Sequence, residues 1–124
     1  MDYGGVGSLT ATSRFDIGVV EPDARLRLRM VGQLPGAWQL ESVQELIQQF
    51  RPNRPLVAVF GPGLANSFGF QQINRLANTY PEIGAVIAVE ELSTDLLQQA
   101  LRAGVRDTVD LKARGTRLFV DCAR

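Results

Sequence analysis

The chain has no histidine and a single cysteine, Cys122. The first absence removes the side chain most used as a general base near neutral pH and as a metal ligand. The second rules out an internal disulfide and fits a reducing compartment, the cytoplasm. With no histidine to activate it, Cys122 has no local case as a nucleophile. Long apolar runs are missing as well: nothing approaches the ~20 residues that span a bilayer, so direct membrane insertion is not expected. Nor is there an excess of either charge. Thirteen basic residues balance thirteen acidic ones, which argues against a dedicated nucleic-acid surface. Residues 1–14 lack a basic start and an apolar stretch, so they read as a flexible tail and not as a signal peptide.

What is present is one ordinary globular domain. The 124 residues are 45% hydrophobic, enough for a real core but too short for two domains. Residues 15–124 form the expected domain, with no internal repeat or linker. Phe15–Val20 reads as a first strand, and Asp23 as the N-cap of a helix running to about Leu34. In that segment Leu26, Leu28 and Met30 alternate with Arg25, Arg27 and Arg29, a pattern that also suits a strand. Trp38–Leu40 is a short second strand in which Trp38 packs. Ser42-Val-Gln-Glu45 has the form of a capping box, with Val43, Leu46, Ile47 and Phe50 at helical spacing behind it. Leu56–Phe60 is apolar throughout and reads as a central strand. Gly61-Pro62-Gly63 then leads through Asn66 and Ser67 into a helix carrying Phe70, Ile73, Leu76, Ala77 and Tyr80, closed by Pro81.

Tyr80–Asp110 is the most informative stretch. Ala85–Val89 is a strand covered on both faces, and Ser93 and Asp95 suit the start of a helix. Leu96, Leu97, Ala100 and Leu101 share one helical face, Gly104 ends the helix, and a last short strand follows. Alternation of this kind predicts an α/β three-layer sandwich, a five-stranded parallel sheet with helices on both faces. Leu111–Arg124 stays open between helix and strand, and so does the question of whether the chain is the front of a longer protein.

The strand, helix and "ALRAGVRD" turn resemble the back half of a response-regulator receiver domain, which implies a CheY-like, flavodoxin-like sheet of order 2-1-3-4-5. Receivers move a phosphoryl group to an aspartate ending the third strand. Acids after the first strand hold Mg²⁺, a hydroxyl ends the fourth strand, and a lysine ends the fifth; metal and lysine neutralise the developing charge. With Pro55 and Gly69 as landmarks, the resemblance puts Gly61 at the nucleophile position. Glu21 stands for the first acid, Pro22 takes the second with Asp23 one residue late, Val89 replaces the hydroxyl, and Leu111 takes the lysine position beside Lys112. The implication is a pseudo-receiver with no catalytic residues, cofactor or metal.

Within that class, "ELSTDLLQQALRAGVRD" looks most like the N-terminal domain of the TadZ/CpaE family, whose members attach an atypical receiver-like domain to a ParA/MinD-type ATPase and localise tight-adherence (Flp) pilus and related secretion machinery. The resemblance covers roughly Ile17 to Asp110. It implies a docking domain with protein partners, a second copy or pilus components, recruited through them to the membrane or cell pole. The candidate face is Gln98, Arg102, Arg106 and Asp107, on the fourth helix and fifth strand.

Other signals have plainer readings. The Gly61–Asn66 loop lacks the Lys-Ser/Thr of a phosphate-binding loop and reads as a tight turn. Arg25, Arg27 and Arg29 read as a solvated helix face. Glu90 and Glu91, with Glu21 and Asp23, form an acidic rim that is at best a weak Mg²⁺ site. A small-molecule or nucleotide sensor at the strand ends is the alternative function; a receiver with a shifted acceptor, Asp107 or Asp110, is a third.

Overall fold

A computed structural model describes residues 15–112; the N-terminal tail, most of the open C-terminal segment and Cys122 lie outside the described residues. Five strands alternate with helices: β1 (Asp16–Val20), α1 (Ala24–Gly32), β2 (Trp38–Leu40), α2 (Val43–Gln49), β3 (Leu56–Phe60), α3 (Ser67–Thr79), β4 (Ile83–Val89), α4 (Thr94–Arg102) and β5 (Asp107–Asp110), with a 3₁₀ turn at Pro62–Leu64 before α3. All neighbouring strands are parallel, and the order is β2-β1-β3-β4-β5. The expected topology is therefore the observed one.

The period of two along each strand sorts side chains into two cores. Leu56, Ala58 and Phe60 of β3 face a large cluster with Ile83, Ala85 and Ile87, covered by Leu46 of α2, Ile73 and Leu76 of α3, and Ala100 of α4. Val59 faces the other way, with Val19, Val86 and Val109, where Met30 and Leu34 cover part of the sheet. β4 is buried at all seven positions, which is why its sequence shows an unbroken apolar run and not alternation.

Two helix starts use the expected chemistry: Asp23 Oδ1 accepts from the amides of Arg25 and Leu26, and Ser93 Oγ accepts from Leu96 N. At α3 the structure adds a third cap, in which Asn66 Oδ1 accepts from Gly69 N. At α2 the box is offset. Ser42 Oγ accepts from Glu45 N as expected, but the Glu45 carboxylate accepts from Glu41 N, one residue before the cap. Gly104 has φ +96°, a left-handed conformation that ends α4 as its position predicts. Gly69 is required by space: a β-carbon there would run into the carbonyl of Leu64.

Two expectations are corrected. Leu101 does not share the buried face of α4 but is 57% exposed, and Ala103 completes that face instead. The segment after Asp23 is a helix, but its arginines do not form one solvated face. Arg25 and Arg29 are exposed, whereas Arg27 has a side chain only 13% exposed and turns back toward β1.

Candidate functional site

The carboxyl ends of parallel strands are where an open α/β sheet presents its ligand site. Glu21 follows β1 there, continuing the ladder through its amide to Leu40 O at 2.9 Å, and Gly61 follows β3 with its amide on Val20 O at 2.9 Å. The two residues thus leave adjacent central strands at the same level.

Glu21 is 1% exposed and is the one buried charged side chain among the described residues. Burying a carboxylate costs several kcal/mol unless its lone pairs find donors. Here they do. Oε1 accepts from Gly63 N at 2.8 Å, and Oε2 accepts from Asp23 N at 2.8 Å. The Glu21 carbonyl accepts from Arg27 Nη1 at 2.7 Å. Each carboxylate oxygen and both backbone groups of Glu21 thereby have a partner. Amide bonds to a charged acceptor are the strong kind, and the one from Gly63 ties the end of β1 to the turn after β3.

The two glycines make room for this carboxylate. A β-carbon on Gly61 would run into Glu21 Oε1, and one on Gly63 would stand 2.6 Å from Oε2. Gly61 has φ −84° and ψ 177°, a backbone open to any residue. Glycine stands there for space.

The structure brings Glu21, Asp23, Gly61 and Gly63 together, but in unequal roles. The Asp23 carboxylate caps α1 while its amide holds Glu21. Val89, the last residue of β4, is buried, and its carbonyl accepts from Leu111 N at 2.7 Å, so these two extend the β4–β5 ladder. Glu90 and Glu91 are exposed, so the acidic rim does not include Glu21, whose charge is turned inward. Among the described residues no group of three or more acidic or thiol side chains could hold a metal ion. Gln98, Arg102, Arg106 and Asp107 are all exposed, on α4 and at the start of β5.

Sequence reasoning missed Gly63 and Arg27. Glu21 and Gly63 lie 42 residues apart in sequence, so no local pattern joins them. The available signal was two small residues ending one central strand opposite a large acid ending its neighbour.

The fold is that of CheY-like receiver domains. Among solved structures, a pilus assembly-related protein from Burkholderia pseudomallei matches with TM-score 0.66 and 20% identity, covering 89% of this chain and 90% of that one. A CpaE pilus assembly protein from Burkholderia thailandensis matches with TM-score 0.65 and 21% identity over 88% and 98%. A response regulator from Thermotoga maritima matches with TM-score 0.70 and 15% identity over 86% and 92%. No protein-family model and no curated protein matches the chain.

Proposed function

We propose that this chain is a non-catalytic, receiver-like docking domain that works without phosphorylation and helps to position pilus or secretion machinery. The observation that carries the reading is the buried Glu21 carboxylate, held by two amides against Gly61. On the receiver-like alignment Gly61 stands where the acceptor aspartate belongs, and glycine offers no oxygen to phosphorylate. The space such an aspartate would use is taken by the carboxylate of the residue that would otherwise help to hold Mg²⁺. Val89 and Leu111, both apolar, stand for the hydroxyl and the lysine. Stabilisation of a transferred phosphoryl group needs those charges and donors, and here they are replaced by internal hydrogen bonds.

The pilus part of the proposal draws on the two Burkholderia structures together with the "ELSTDLLQQALRAGVRD" segment. Partners are proteins, with self-association among the options, and the surface offered is Gln98, Arg102, Arg106 and Asp107. Recruitment to a membrane or pole would run through such a partner. No helix among the described residues is long and apolar enough to cross a membrane.

In-cell crosslinking with mass spectrometry tests this reading. It predicts capture of pilus or secretion components, unchanged in cells deprived of phosphodonors. Capture that depends on the donor, or crosslinks to none of these components, would contradict it.

A further inference from the structure

The α3 helix buries Phe70, Ile73 and Leu76 but leaves Phe68 70% exposed. A lone exposed aromatic needs no explanation. This one stands on the rim of a groove of about 540 Å³ between α2 and α3, whose apolar lining includes Val43, Ile47 and Leu76. Phe68, Gln72, Arg75 and Thr79 follow one another along it at i, i+4, i+7 and i+11, a single stripe of the helix. On the other side of α3 a second groove, of about 470 Å³, is shared with α4, and Arg75 and Arg102 both line it. The residues lining the two grooves include these two arginines and no carboxylate. Neither arginine makes an ion pair among the described residues.

We infer that the α3 face is a docking surface for an acidic amphipathic helix of a protein partner. Resting on the non-catalytic docking reading above, this adds a surface that meets the α4 face at Arg102 and names the chemistry of what it takes. A trough between two helices accepts a third helix, whose apolar stripe enters the groove at i, i+3, i+4 and i+7. Phe68 supplies the aromatic anchor, and arginine is the cation most often found at the energetic centre of interfaces. A carboxylate on the partner helix pairs with Arg75, which lines the same groove. A second copy of this chain pairing through the same face fits less well, because a two-fold interface brings together two faces whose grooves carry arginines and no carboxylate.

The pocket described above holds this surface ready. Asn66 Nδ2 donates to Gly63 O at 3.0 Å, its Oδ1 caps α3, and Gly63 N donates to Glu21. The chain of bonds runs from the buried carboxylate through Asn66 to the amide of Gly69, the residue after Phe68 in the first turn of α3. An anchor held in its bound position loses less entropy on docking.

The test is selection of a random peptide display library on the full chain, with Phe68→Ala/Arg75→Glu as the counter-target. Both substituted side chains are exposed, and circular dichroism confirms that the variant is folded. The expected winners are acidic peptides of helical periodicity. Their affinity falls about ten-fold or more in either single variant, weakens with salt, and is unchanged in Arg25→Glu/Arg29→Glu on α1. Winners that are neutral, basic or extended, winners that bind the counter-target equally, or no enrichment at all would overturn the inference. So would sedimentation showing a wild-type dimer that Phe68→Ala dissolves, since the occupant would then be a second copy. Failure here leaves the phosphorylation-independent reading to its own test, which does not involve α3.

Discussion

A single β-carbon at Gly61 probes the filled pocket most sharply. In Gly61→Ala the new methyl group meets Glu21 Oε1, and the backbone at φ −84° adds no strain of its own. The carboxylate can yield only by leaving the amides of Gly63 and Asp23. Bonds to a charged partner contribute about 1.5–3 kcal/mol each; both amides belong to exposed residues and recover part of their loss from water, so the variant loses about 3 kcal/mol. Glu21→Ala gives up the same two bonds and loses a similar amount. In the double variant the added methyl enters vacated space, where Glu21 Cβ remains at 3.0 Å, and its further cost is under ~1 kcal/mol. The two losses therefore overlap, with a coupling of about 2–3 kcal/mol, whereas independent sites add within ~0.5 kcal/mol. Urea unfolding of the four proteins reads this directly, provided the slope with denaturant is unchanged. Additive losses would refute the claim that Gly61 is glycine to make room for Glu21.

Arg27 offers a comparison of two of its contacts. Its bond to the Glu21 carbonyl is 2.7 Å, while its pairing with Glu41 spans 3.9 Å to a side chain 68% exposed. Arg27→Ala is expected to cost about 1–2 kcal/mol and Glu41→Gln less than ~0.5 kcal/mol, measured by the same unfolding; equal costs would show that the ion pair dominates. On the α4 side, Arg102→Glu with Arg106→Glu is expected to weaken self-association or partner binding with the melting temperature held, because both side chains are exposed. Unchanged association by sedimentation and crosslinking at matched stability would remove that face from the account.

The sheet was legible because its central strands are covered on both faces. Leu56–Phe60 and Ile83–Val89 can be apolar throughout only if no face meets water. Helix starts were legible for a local reason, since a Ser or Asp side chain reaches an amide two or three residues on. What failed depended on distance or direction. The Leu/Arg alternation after Asp23 concealed that Arg27 turns inward to a carbonyl six residues back. Leu101 sits at helical spacing from Leu97, yet at the end of α4 the chain has turned enough for Ala103 to take the buried place. Glu21 was legible as an acid after the first strand, but its inward turn depends on Gly63, 42 residues away. Phe68 lay just outside the apolar face of α3 and drew no notice, because an exposed aromatic becomes informative only beside the groove it rims.

The central claim is that the Glu21 carboxylate fills the place of an acceptor and its metal. Its most direct test is an amide NMR titration with Mg²⁺ and beryllofluoride, which mimics a bound phosphoryl group. No saturable shifts are expected at Asp23, Gly61 and Gly63, whose amides are already committed to Glu21 and the sheet. Saturable shifts at those three residues would mean that the pocket opens to a phosphoryl group and its metal, and would contradict the account.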